Sequence, residues 1–268
     1  MAVIVKYPRQ NKETNKDYFK RKNKQLTNLD LAKWAGWFDT DGAFHNAEKP
    51  SQSYACISLK DREPVELFSN LFESSLSYNE SKKITPEPYK REYIAKMFTS
   101  KIGGDRAKWL AQKIAKFIIN KKKQVKNLSQ LNFIEEHNWT DEEVISYVAT
   151  VIDGDGSINF RINPSKKSNH KRLMIIIKSS NVEYLVNLKN MLEEKKLCNI
   201  IGPFEQDTYK TIKEGIKHKY VLQIYVSKDG LYVKNIEKNN LNTFFIKKLI
   251  NNMTISRKKN KIIEFLNA

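Results

Sequence analysis

Two stretches, WAGWFDTDGAF at 34–44 and VATVIDGDGSI at 148–158, share one pattern: two apolar residues, Asp, a small residue, Asp, Gly, a small residue and an apolar one. They stand 114 positions apart. A single Asp-x-Asp-Gly signals only a turn. The same signal at the same point of two matched surroundings makes the chain an internal repeat.

The surroundings do match. Upstream, Thr27-Asn28-Leu29-Asp30 and Thr140-Asp141-Glu142-Glu143 each fit a capping box, in which a hydroxyl and an acid satisfy the first free N–H groups of a helix. Each predicts a helix of about three to four turns that ends near its Asp-Gly. After the first Gly come HNAEKPSQ and YACISLK, and after the second NFRINPSKKSNH and RLMIIIK, in both cases two strand-like runs around a Pro-containing turn. Helical patterns follow at 62–75 and 181–196, then strand patterns at 93–99 and 219–227. A basic amphipathic helix closes each half, ending in KKKQV (121–125) or containing SRKKNK (256–261). The expected fold is α+β, with two pseudo-symmetric halves of order αββαββα. The expected segments are a basic N-terminal extension at 1–26, a first domain at 27–125, a linker at 126–139 that packs down through Leu131, Phe133 and Ile134, and a second domain at 140–268.

Small residues recur every fourth position on both motif helices: Ala32, Gly36 and Thr40 on the first, Ser146, Thr150 and Gly154 on the second. That spacing draws one stripe along a helix. Two such stripes let the helix backbones approach, so the helices are expected to pack on each other as the domain interface. Trp34, Trp37 and Phe38 are then core residues.

Lys and Arg number 48 against 30 acids, a net charge of +18. The first 134 residues carry 26 basic and 14 acidic groups, the second 134 carry 22 and 16, so the excess is not one charged tail. A field of that sign attracts polyanions, DNA or RNA first among them. Cys56 and Cys198 lie far apart with no partner at metal-ligand spacing, which argues against a zinc knuckle or a disulfide framework and suits a reducing compartment. No apolar run reaches the length of a membrane span, and the opening MAVIV is too short for a signal-peptide core. His45, His137, His170 and His218 are scattered, which disfavours a histidine-based nuclease.

With the motif helices side by side, Asp41 and Asp155 meet at their C-terminal ends, where the helix dipole is also negative. Such a place repels phosphate unless hard cations intervene. Mg²⁺ prefers carboxylate oxygens, water and substrate phosphate, and the lack of a third fixed acid suits an ion that keeps its waters. Gly42 and Gly156 let the backbone leave each helix and approach DNA closely. Asp39 and Asp153, two residues earlier, point off that face and are expected to cap or to join a polar network.

On these residues the chain resembles the LAGLIDADG homing endonucleases, in the single-chain form with two motif copies. The resemblance covers about residues 27–268, with WAGWFDTDG (34–42) and VATVIDGDG (148–156) its most specific parts. Thr150 departs from it, since the family usually has Gly at the third motif position. The resemblance implies curved antiparallel sheets forming a DNA-binding saddle, with Asp41 and Asp155 as essential metal ligands and Gly42 and Gly156 beside them. It implies two or three divalent ions, Mg²⁺, and cleavage of both strands of a long DNA site with short 3′ overhangs. It places catalytic support at a lysine after the last strand of each half, Lys101 and Lys228, and a polar residue late in the second strand, Lys60 and Lys178.

Strand alternation supplies the expected DNA readers. In the second half Ile158, Phe160 and Ile162 turn inward, leaving Asn159, Arg161 and Asn163 outward; the parallel set in the first half is His45, Ala47 and Lys49. Gln223 and Lys96 stand on the last strands. Arg reads guanine and Asn adenine in the major groove, which a β-ribbon fits. The expected product is a monomeric site-specific endonuclease with a double-stranded DNA partner and no membrane. It would act inside a bacterial or phage-infected cell or in an organelle matrix. The alternatives are an intron RNA maturase, with its own intron RNA as partner, and a DNA-binding protein that does not cleave. Two carboxylates facing a polyanion favour the enzyme.

Overall fold

Alternating burial along strands and four-residue spacing along helices govern the computed structural model, which describes residues 3–5, 13–84, 92–165, 168–211, 215–227 and 236–267. The described residues form two units. One is drawn from 1–27, 41–116 and 121–136, the other from 28–40, 117–120 and 137–268. In chain order the elements are β1 (Val3–Val5), α1 (Asn15–Gln25), α2 (Asn28–Thr40), β2 (Gly42–His45), β3 (Tyr54–Leu59), α3 (Arg62–Phe72), β4 (Ser75–Ile84), β5 (Glu92–Gly103), α4 (Gly104–Ile114) and α5 (Lys122–Ser129). They continue with α6 (Asp141–Asp155), β6 (Gly156–Ser165), β7 (Ser168–Ser179), α7 (Val182–Glu194), β8 (Asn199–Thr211), β9 (Gly215–Ser227), α8 (Ile236–Asn252) and α9 (Ser256–Asn267). From α2 and from α6 onward, the order αββαββα is the expected one, and the fold is α+β.

Each unit holds one antiparallel sheet, ordered β1-β4-β5-β3-β2 in the first and β6-β7-β9-β8 in the second. The inner faces are apolar. Phe44, Ala55, Ile57 and Ile102 are buried on the first, and Ile158, Leu173, Ile175, Ile177, Leu222 and Ile224 on the second. Period-two alternation explains this directly, since β2 reads buried, exposed, buried, exposed from Gly42 to His45.

The N-terminal segment is not a loose arm over its described part. Thr14 caps α1 by accepting from the Asp17 backbone N–H at 3.2 Å. Tyr18 is fully buried, its hydroxyl donates to the Phe72 carbonyl at 3.1 Å, and the Arg106 guanidinium lies 3.8 Å from its ring centroid. Arg21 pairs with Glu13 and Glu73, and the buried Lys22 lies 3.0 Å from Glu73. β1 extends the sheet by pairing with β4, Val3 opposite Tyr78. Residues 13–26 of the basic N-terminal extension therefore pack within the first unit.

Three further boundaries differ from expectation. KKKQV opens α5 rather than ending the preceding helix. Phe133 in the linker does not pack down, being 71% exposed. The first strand after motif one is Gly42–His45, so Ala47 and Lys49 lie beyond it, before a 3₁₀ turn at Pro50–Gln52. Pro50 suits the start of that turn, where a missing N–H costs nothing.

The second unit is organised by α2 against α6. Both are buried almost all round, α6 without interruption from Glu143 to Asp153. Thr140 closes its capping box, accepting from Glu143 N–H while the Glu143 carboxylate accepts from Thr140 N–H. Contact positions advance together along the pair: Ser146 Oγ donates to the Leu29 carbonyl at 3.1 Å, and Thr150 Oγ1 to the Lys33 carbonyl at 3.0 Å. The helices are therefore parallel. The stripe meets where expected, for a Cβ on Gly36 would lie 2.1 Å from Thr150 Oγ1 and 2.6 Å from the Tyr147 carbonyl oxygen. Thr150 fills the space that Gly36 leaves. Thr40 does not bridge the helices through its hydroxyl, which returns to its own helix at the Gly36 and Trp37 carbonyls.

The Tyr147 carbonyl cannot turn aside without breaking its helix. Gly36→Ala is therefore expected to destabilise the chain by about 2 kcal/mol or more, measured by urea unfolding. A midpoint equal to that of the wild type would contradict this packing.

Candidate functional site

The ends of the two motif helices carry the acids. Asp155 is the last residue of α6 and is exposed, and Asp41 follows the last residue of α2 in a half-buried turn. A buried glycine then opens a strand in each case, Gly42 in β2 and Gly156 in β6. At Gly156 the reason is close approach: a Cβ there would stand 2.5 Å from the Ile152 carbonyl oxygen.

Lysines hold both ends. Lys258 of α9 is only 7% exposed, and its Nζ donates to the carbonyls of Ile152 at 2.9 Å, Gly154 at 3.1 Å and Asp153. These are the last carbonyls before Asp155; that of Ile152 also accepts from the Gly156 N–H, and Lys258 adds donors where the helix runs out of its own. In the first unit Lys121 Nζ donates to the Gly42 carbonyl at 2.6 Å. The oxygen that Gly42 offers, expected beside the metal, therefore already accepts from an ammonium.

Asp39 and Asp153 form the polar network expected of them. Asp39 Oδ2 accepts from Ile119 N–H at 2.7 Å and from the Tyr147 hydroxyl at 2.6 Å, and Asn120 Nδ2 donates to the Asp39 carbonyl at 3.0 Å. Asp153 Oδ2 accepts from the N–H groups of Thr254 (2.6 Å) and Ile255 (3.2 Å). Each carboxylate thus fastens a later segment of chain to its motif helix. The repeat adds an exchange. Tyr147 and Lys33 stand 114 residues apart, at equivalent places in the two copies. Burial first, then the charge of Asp39, pushes the Tyr147 hydroxyl well above its usual range, so it remains a donor. Lys33 is held below the usual lysine range by burial, against the opposing charge of Asp153. Asp39 takes a hydrogen bond from the Tyr147 phenol, while Asp153 feels the charge of Lys33.

The sheets place the expected readers as follows. On the second sheet Asn159 is exposed opposite Met174, which pairs onward with Tyr225; Gln223 and Lys178 share this outer face and are half-buried. The Tyr225 hydroxyl donates to Gln223 Oε1. Arg161 and Asn163 continue along β6 opposite Arg172 and His170, with side chains outside the described residues, and Lys228 lies wholly outside them. On the first sheet His45, Tyr54 and Lys101 cluster on the outer face. The His45 and Tyr54 rings stack at 4.8 Å, and Lys101 Nζ sits 3.6 Å from the Tyr54 centroid. Lys101 lies inside β5, not after it. Lys49 and Lys60 are exposed beside the sheet, in the loop before β3 and the bend after it. Lys96 is exposed on β5 beside the buried Ala95, and its ammonium is 3.5 Å from Glu80.

Among the described residues no three His, Cys, Asp or Glu side chains converge on one point. A closed protein cage for zinc is not what this donor set offers. Single carboxylates at helix ends do suit a hard cation that keeps waters and takes phosphate oxygens, so Asp41 and Asp155 fit Mg²⁺. Tyr54, Lys33, Lys121 and Lys258 escaped the sequence reading. The 114-residue offset pairs Lys33 with Tyr147, and SRKKNK contains Lys258, but neither signal names a contact.

Burial pushes the Asp153 carboxyl up to about 6, against the opposing N–H bonds and the charges of Lys258 and Lys33. Folding therefore favours its protonated form. That contribution is complete below about pH 4, where the unfolded carboxyl is also protonated, and is lost as pH rises through about 6. Asp153→Asn removes the dependence. Urea unfolding from pH 4 to pH 7 should show the wild type losing up to about 3 kcal/mol relative to this variant. Parallel curves would contradict it.

Comparison with protein-family models and with curated proteins finds no match. Among solved structures, the chain is similar to the LAGLIDADG homing endonuclease I-SmaMI bound to cleaved DNA, at 11% identity over 90% of this chain and 88% of that one, with a TM-score of 0.44. It is similar to the LAGLIDADG meganuclease I-AabMI bound to uncleaved DNA, at 15% identity over 88% and 89% and a TM-score of 0.46. It is also similar to the homing endonuclease I-WcaI bound to its DNA recognition sequence, at 13% identity over 94% and 95% and a TM-score of 0.39.

Proposed function

We propose that this chain is a site-specific endonuclease of the LAGLIDADG type that hydrolyses both strands of a long double-stranded DNA site, with Mg²⁺ as cofactor and short 3′ overhangs as product. The observation that carries the reading is the parallel pairing of α2 and α6. Their C-terminal ends lie at the same end of the pair, and each leads directly into a motif aspartate. A protein that only binds DNA gains nothing from two acids repeated there.

In this reading Asp41 and Asp155 serve one DNA strand each. Their carboxylates hold the divalent ions and keep phosphate away until the ions are present. What a bound divalent ion supplies at such a carboxylate is a water of lowered pKa and neutralisation of charge on the departing 3′ oxygen. Lys101 offers an exposed ammonium on the outer sheet face, held against the Tyr54 ring, for the charge that builds on the phosphate. Asn159 and Gln223 on the second sheet and His45 on the first offer donors and acceptors to base edges. The net charge of +18 draws the duplex in before any base is read.

Asp41→Asn and Asp155→Asn should each lower double-strand cleavage of a duplex that the wild type cuts by more than about 100-fold. Binding of that duplex in Ca²⁺, measured by gel shift, should stay within a few-fold. Full double-strand cleavage by either variant would overturn the mechanism.

A further inference from the structure

Each motif end carries a lysine that the reaction just described does not use. Lys258 Nζ bonds the carbonyls of the three residues immediately before Asp155, and Lys121 Nζ bonds the carbonyl of the residue immediately after Asp41. Lys258 stands in α9 and Lys121 just before α5, the basic segments that close the two halves, and each brings an ammonium to peptide groups beside a motif acid. The repeat thus sets an ammonium at both motif ends, on three carbonyls before Asp155 and on one carbonyl after Asp41.

The geometry limits what Lys258 does. Three carbonyl acceptors match the three N–H donors of an ammonium. The group is 7% exposed, so it acts through its charge and not by touching DNA. A positive charge fixed on the peptide groups next to a motif acid opposes the arrival of a second cation there. It also offsets the negative helix end that would otherwise attract one.

We infer that Lys121 and Lys258 are positioning residues that act as resident cations: they hold the turns bearing Asp41 and Asp155 and keep the divalent-ion affinity of the DNA-free protein low. Ion binding is thereby coupled to the arrival of phosphate, whose charge supplies the missing attraction. The inference rests on the metal-dependent reading proposed above. It also separates these lysines from Lys101, which is exposed and faces outward.

The test measures Mn²⁺ binding to the full chain without DNA, by electron paramagnetic resonance of the free ion, with circular dichroism to follow the fold. Lys258→Gln keeps hydrogen-bond donors but removes the charge, as does Lys121→Gln at the other end. Each should tighten Mn²⁺ binding roughly fivefold at one site. A merely structural lysine would change stability and leave the affinity as it was, so unchanged or weaker binding in folded variants overturns the inference. If Lys258→Gln does not fold, the half-buried Lys121→Gln decides the question. Asp41→Asn and Asp155→Asn separate the two levels. If they lose Mn²⁺ sites while the lysine variants match the wild type, only this inference falls. If they bind Mn²⁺ like the wild type, the metal-dependent reading falls and takes the inference with it.

Discussion

Everything in this chain depends on the absence of a side chain at Gly36. With no Cβ there, Thr150 and the Tyr147 carbonyl close on the α2 backbone, and the hydroxyls of Ser146 and Thr150 reach main-chain carbonyls of the facing helix. Those bonds fix a parallel register. From the register follow the common end of the two helices and the identity of the residues that leave it. Close packing thus sets where the two motif helices end and which residue stands at each end.

Around that pair, buried charge is managed by exchange between the copies. Asp39 and Asp153 each fasten a distant segment through backbone N–H groups, yet one bonds the Tyr147 hydroxyl and the other feels the charges of Lys258 and Lys33. Lys258 adds a second buried amine at the α6 end only. The two halves of the repeat are electrostatically unequal. This inequality is what a single chain can have and a symmetric pair of identical subunits cannot.

The repeat, the Thr140 capping box, the order αββαββα and the Gly36 stripe were all legible, because each is a local pattern of spacing. β4 and β8 were not placed as strands. SLSYNESKKI is mostly polar, and NIIGPFEQDTYKT carries a Gly-Pro that reads as a break. At the site, Asp39 and Asp153 were assigned to a network because two positions along a helix rotate off the face. Lys121 and Lys258 were invisible for a deeper reason. Their partners are backbone carbonyls, which have no residue type, and their sequence distance to them, 79 and 104 to 106 residues, carries no periodic signal. The N-terminal helix looked like a charged tail because Tyr18, which anchors it, sits among Lys and Asn.

The central claim is that two repeated aspartates cut one duplex at a defined place. Incubating the purified chain with a randomised duplex library in Mg²⁺, and sequencing both new ends of every cleaved molecule, tests it most directly. The cuts should converge on one long site, staggered to leave short 3′ overhangs. Ends scattered without a common site, or a library left intact by folded, DNA-binding protein, would contradict it.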